Sequence, residues 1–129
     1  MTVWRRKTIE LFGIKFEHRD FSIYELMYEL IHRLPDLHNK NNTEKLSDIY
    51  GYVVWCYNQR AKDLGNSAGV SFYEHLPDNE ITFEQIPFWV KPYIFEDVKG
   101  LINWRVKDTD KYRSLVDHYN EVNKTNINY

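Results

Sequence analysis

Apolar side chains recur along this chain at steps of three and four residues, broken by short polar or proline-bearing stretches. That period lays an apolar stripe along one face of an α-helix. The clearest case opens at Phe21-Ser22-Ile23-Tyr24-Glu25-Leu26. Ser22 as N-cap and Glu25 three residues on form a capping box, while Phe21 and Leu26 occupy the positions of a hydrophobic staple. Met27, Leu30, Ile31 and Leu34 continue the stripe, and Pro35, lacking an N–H, predicts its stop, so the helix spans 22–34. Asp36 to Asn42 read as a loop, because their side chains compete for backbone hydrogen bonds. Thr43 predicts the cap of a longer helix carrying Leu46, Ile49, Tyr50, Val53, Val54, Tyr57, Ala61 and Leu64, with Gly65 as its left-handed end. The run Tyr50 to Tyr57 is apolar almost all round, which places this helix at the centre, with Val53, Val54 and both tyrosines buried.

Asn66 predicts the cap of a short helix bearing Ala68, Val70, Phe72, Tyr73 and Leu76, whose small residues allow another helix to approach closely. Pro77-Asp78-Asn79 reads as a turn, and Thr82-Phe83-Glu84-Gln85 as a second capping box opening a segment that Pro87 kinks or restarts. Pro92 suits the first turn of a helix carrying Ile94, Phe95, Val98, Leu101, Ile102 and Val106. Asp108 or Thr109 caps the last, with Tyr112, Leu115, Val116, Tyr119 and Val122 on one face, and the Asn-rich segment 123–129 is expected to fray. The first twenty residues allow two readings. Ile14-Lys15-Phe16-Glu17 alternates as a hairpin around Gly13 would, whereas Trp4, Thr8, Leu11 and Phe12 fit a helix that Gly13 ends; the helix is preferred. The expected fold is all-α: one domain over 1–129 with its core at about 20–122, built of five to seven short helices packed as antiparallel pairs.

Composition narrows the class. At 129 residues and 15.7 kDa the chain suits one domain. Apolar residues at 43% and aromatics at 16% are too much core material for a disordered chain. A net charge of −2 and a pI near 6.2 argue against a direct nucleic-acid binder. Cys56 is the one cysteine, so no internal disulfide forms, and its thiol suits a reducing compartment. No apolar run approaches the ~20 residues that span a bilayer. Met1 to Lys7 is followed by no apolar signal-like region, so a cytoplasmic location without membrane attachment is expected.

Candidate chemistry is thin. The five histidines are scattered, and His32 and His38 straddle Pro35. Glu74-His75 and Asp117-His118 are neighbours that a helix points about 100° apart. No metal-binding or phosphate-loop motif is present, so no metal, cofactor or catalytic residue is assigned and an enzyme is the last-ranked reading. The apolar neighbours of Cys56 predict a core thiol rather than a nucleophile. Trp4-Arg5-Arg6-Lys7 reads as a solvated basic start. Charge distribution is more informative. Glu74, Asp78, Glu80, Glu84, Glu96 and Asp97 face only Lys91, a net of −5 over residues 74–97, while the flanks 1–20 and 98–129 are each +2. Phe83, Ile86, Phe88, Trp89, Tyr93 and Phe95 lie in the same stretch. Aromatic anchors inside an acidic rim suit the capture of a basic protein. The competing reading makes the aromatics core and the acids their solvated side. On the first reading the binding residues are Glu74, Asp78, Glu80, Glu84, Trp89, Glu96 and Asp97, with Trp89 the leading anchor.

Trp55-Cys56, Asn66, Gly69 to Leu76, Ile86-Pro87, Trp89-Val90, Gly100-Leu101 and Arg105 together resemble an uncharacterised bacterial helical domain family, sometimes encoded near toxin systems. The resemblance covers Leu46 to Arg105, implies an all-α domain and transfers no active residue. Size, acidity and single-domain form are also similar to those of immunity proteins, which neutralise antibacterial toxin domains. The expected function is therefore a monomeric immunity protein that occludes a basic cognate toxin, a nuclease, its acids standing in for nucleic-acid phosphates. The alternative is a helical adaptor or assembly protein from a phage or mobile element.

Overall fold

Ser22 caps its helix as its neighbours demand, its Oγ accepting the Glu25 N–H at 3.1 Å. The computed structural model describes residues 2–14 and 21–129. Eight α-helices follow one another among these: α1 (Val3–Phe12), α2 (Ile23–Asn39), α3 (Thr43–Tyr57), α4 (Lys62–Ser67), α5 (Glu80–Glu84), α6 (Ile86–Trp89), α7 (Pro92–Val106) and α8 (Thr109–Asn123). A π-helical turn (Ala68–Phe72) and a 3₁₀ stretch (Tyr73–Asp78) join α4 to α5. The fold is all-α, with no strand among the described residues. No helix among the described residues is long and apolar enough to cross a membrane.

At the start, the helical alternative holds. Gly13, at φ 65°, takes the left-handed conformation that ends α1. The rest of the alternating stretch, Lys15 to Glu17, lies outside the described residues, as does His18. Buried Thr8 fixes α1 to α3: its hydroxyl lies 3.2 Å from that of Tyr52, which donates to the Trp4 carbonyl at 3.1 Å.

Several expected boundaries move, for tertiary reasons. Pro35 does not stop α2, which runs on through residues read as loop. The lost hydrogen bond is local, whereas the turn beyond it buries His38, whose Nε2 lies 2.9 Å from the Tyr50 hydroxyl. Asn42 rather than Thr43 caps α3, accepting from the Lys45 N–H. The predicted single helix from Thr43 to Leu64 divides after Tyr57, where the Gln59 side chain donates back to the Trp55 carbonyl. Gly65 consequently sits inside α4 with no left-handed φ, and Asn66 lies within α4 instead of capping a helix, donating to the Tyr24 hydroxyl. Thr82 is not a cap either. It is buried and donates to the Leu76 carbonyl, while Asn79 caps α5. These divisions are why there are eight helices where five to seven were expected.

The core forms where α2, α3, α7 and α8 meet the π–3₁₀ segment. Leu26, Met27, Leu30 and Leu34 enter from α2, and Ile94, Phe95, Val98 and Ile102 from α7. Phe95 stacks on Tyr119 of α8 at 4.0 Å between ring centroids. Helix α3 is central but not buried all round: Tyr50 and Val53 are buried, whereas Val54 and Tyr57 are only half-buried. Gly69 faces Leu101 of α7, but a Cβ there would make only an ordinary contact at 3.8 Å, so the approach of α7 does not depend on the glycine. Pro92 opens α7, and Asp108 caps α8 by accepting from the Lys111 N–H. The expected fraying of 123–129 is not what the contacts describe. Asn120 brackets Ile127 with one hydrogen bond to its N–H and one from its own amide to the Ile127 carbonyl, and Tyr129 donates to Asp117.

Burial holds the pKa of His38 below its ordinary value of 6.5. The unfolded chain therefore takes up the proton first, so this stability is complete above about pH 6.5 and declines as pH falls below it. Urea midpoints measured from pH 8 to 5 should fall for the wild type, and His38→Gln should flatten that slope.

Candidate functional site

Helices α5 and α6 carry the middle of the acidic stretch, and α8 settles where they lie. Buried Tyr119 donates to the Val90 carbonyl, and Asn123 donates to the Pro87 carbonyl at 2.8 Å. Both bonds hold the backbone of α6 from beneath. Trp89 turns inward and stacks on Tyr50, with 4.9 Å between centroids and 19° between planes, and meets the His38 ring edge-on at 6.0 Å. Successive residues on a helix point about 100° apart, so Phe88 is turned outward and is 57% exposed.

Of the seven sequence-predicted site residues, Trp89 lies on Tyr50 and the six acids separate into three groups. Glu80 and Glu84 stand exposed on α5, lining with Phe83, Phe88, Lys111 and His118 a groove of about 730 Å³ between α5 and α8. Phe88 also walls a second depression of about 370 Å³, floored by Tyr50, Val54 and Trp89. The second group is Glu74 and Asp78, which the 3₁₀ stretch carries to α7. Arg105 grips Asp78 with both arms of its fork at 2.7 and 2.8 Å, and His75 Nδ1 lies 2.8 Å from the same carboxylate. Glu74 flanks the other side of the His75 ring at 3.9 Å. Asp78 is thus held below the ordinary carboxylate range chiefly by the Arg105 hydrogen bonds, against an opposing effect of burial, with His75 adding a lesser lowering. The third group is Glu96 and Asp97 on α7. Glu96 pairs with Lys99 at 3.2 Å, and Asp97 accepts from the Tyr57 hydroxyl. Burial and that bond push the Tyr57 phenol up to about 12.

The acids are therefore not one continuous rim. Asp78 and Asp97 are spent on internal contacts, whereas Glu80, Glu84 and Trp89 come together around Phe88. Phe88 stood in the sequence only as one aromatic among several. Ile86 and Trp89, three apart and both facing in, leave Phe88 on the outer side, and that spacing was the available signal. Trp89 is as much core as surface, half-buried beneath its neighbour.

Cys56 is fully buried, and burial pushes its thiol up to about 12. Among the described residues no group of three or more His, Cys, Asp or Glu is placed to hold a metal ion.

A family model for a domain of unknown function, DUF7674, matches residues 7–104. The chain belongs to the DUF7674 family. The match takes in Glu80, Glu84, Phe88 and Trp89 and ends before α8, so the α8 side of the Phe88 groove lies outside the DUF7674 match. No curated protein and no solved structure matches the chain.

Two outcomes follow from this geometry. Asp78→Asn should cost less than about 1 kcal/mol in urea unfolding, because both partners of the Arg105 pair are more than a third exposed. In the native protein Cys56 should react with a thiol reagent only as fast as the chain opens, so labelling should track unfolding by denaturant.

Proposed function

We propose that this protein is a toxin-neutralising immunity protein that binds a cognate antibacterial effector, a nuclease, and occludes its basic cleft. The observation that carries the reading is the outward face of residues 80–89. Glu80, Glu84 and Phe88 project to solvent, and Tyr119 and Asn123 anchor the backbone on either side of Phe88 through the Val90 and Pro87 carbonyls. An exposed all-carbon ring on a fixed support loses little freedom when a partner covers it, which suits a binding anchor. Carboxylates beside it would speed encounter with a basic surface and fall silent as salt rises, since the Debye length is about 8 Å at physiological ionic strength. In this mechanism Glu80 and Glu84 occupy the place of substrate phosphates, and the protein supplies no chemistry of its own. An acidic helical domain also suits an adaptor role, which differs in having no enzyme as its target.

Co-expression with toxin domains encoded directly upstream of the gene is the deciding experiment. The expected result is rescued growth together with co-purification of one toxin domain. Growth arrest that persists with every such domain, while this protein accumulates folded, would overturn the reading. Stable co-purification with a structural protein alone would favour the adaptor.

A further inference from the structure

The groove between α5 and α8 already contains a small demonstration of what it accepts. Lys111, from α8, holds its Nζ 4.7 Å from the centroid of the Phe83 ring and 3.4 Å from Glu80 Oε2. A cation over an aromatic face with a carboxylate beside it is a recognised attractive arrangement. Here it is loosely made. The Lys111–Glu80 contact is long, and the two side chains are 39% and 68% exposed, the regime in which an ion pair contributes little. Glu84 lines the same groove and makes no ion pair among the described residues, so the groove carries two carboxylates and one weakly held ammonium, which only Glu80 touches.

We propose that this groove is the docking site for an arginine side chain on a loop of a basic protein partner, and that Lys111 is the internal cation which that arginine displaces. The inference rests on the protein-binding reading above and specifies its chemistry. A guanidinium suits the groove better than an ammonium, because its plane stacks on an aromatic face while its fork engages carboxylates. Phe83 and Leu115 supply the buried apolar floor for the arginine stem, and Glu80 and Glu84 take the charged end. Phe88 stands beside it as the apolar anchor, and the depression on its far side, floored by the Tyr50–Trp89 stack, receives a second, apolar side chain of the same loop.

Two other exposed aromatics stand differently. Tyr28 leans on His32 at 4.1 Å between centroids, and Trp104, itself largely exposed, has Lys107 5.4 Å from its ring centroid. Phe88 meets only the ring of His118, edge-on at 5.8 Å, among the ring contacts of the described residues.

The test uses a hexa-arginine peptide titrated into the full chain, followed by backbone amide shifts in two-dimensional NMR. The expected shifts concentrate on residues 80–88 and 111–118. Phe88→Ala should weaken binding about tenfold, and Glu84→Gln about threefold. Lys111→Met should tighten it about two- to fivefold, as expected when a weak internal competitor is removed. Lys107→Met makes the same change in net charge away from the groove and should give no such gain. Shifts centred on Glu25 and Glu29 or on Glu44 and Asp48, or a Lys111→Met variant no tighter than Lys107→Met, would overturn the proposal. The two ideas fail separately. A peptide that maps to the groove while no toxin is neutralised leaves the site standing without the immunity role. A toxin neutralised equally by wild type, Phe88→Ala and Glu84→Gln leaves the role standing without this site.

Discussion

Tyr50 has a large ring to bury and a hydroxyl that must not be left without a partner, and much of the fold is arranged around meeting both needs. Its ring lies between Trp89, stacked on it, and Phe72 of the π-helical turn, edge-on at 5.8 Å. Its hydroxyl meets His38. Burial so disfavours the phenolate that the phenol is held well above its ordinary pKa, and the same burial lowers the pKa of His38. Four parts of the chain thus converge on one side chain: the last turn of α2, the middle of α3, the π-helical turn and α6. No buried side-chain nitrogen or oxygen among the described residues lacks a hydrogen-bond partner, so this polar centre is satisfied at little cost to the core.

The outer face follows from that inner contact. With Trp89 committed to Tyr50, a helix as short as α6 has no freedom left to hide Phe88. Tyr119 and Asn123 then fix the backbone on which both aromatics stand. Elsewhere the acidic stretch is drawn into the fold. Asp78 joins the 3₁₀ stretch to α7 through Arg105, and Asp97 joins α7 to the end of α3 through Tyr57. The net charge of −5 over residues 74–97 thus stays at the surface but is divided among separate contacts rather than gathered in one rim. What remains outward and unneutralised is concentrated at Glu84 and its neighbours.

Local features were legible wherever a short-range rule decides the outcome. The Ser22 and Asp108 caps, the end of α1 at Gly13 and the start of α7 at Pro92 are all of this kind, because each depends on backbone groups within a few residues. The misreadings have other causes. Pro35 and Asn66 carry a strong local signal that a distant contact overrules, Tyr50 for the turn after Pro35 and Tyr24 for Asn66; Thr82 is drawn to the Leu76 carbonyl six residues back, and Gly65 loses its role where the helix divides after Tyr57. The candidate site was legible in the same partial way. The sequence showed the aromatic–acidic character of residues 74–97, but not which acids are free of internal partners, because Arg105, Lys111 and Tyr57 are distant along the chain.

By itself, then, the sequence determined the all-α class, the stripes that form the core and the buried state of Cys56. Those follow from the helical period and from the free energy of removing apolar area from water, which depend on residue type and spacing alone. Tertiary structure decided where helices break, which carboxylates are consumed internally and which aromatic faces outward. These are outcomes of competition between partners far apart in the chain, and such a competition has no answer until the partners are brought within hydrogen-bonding distance.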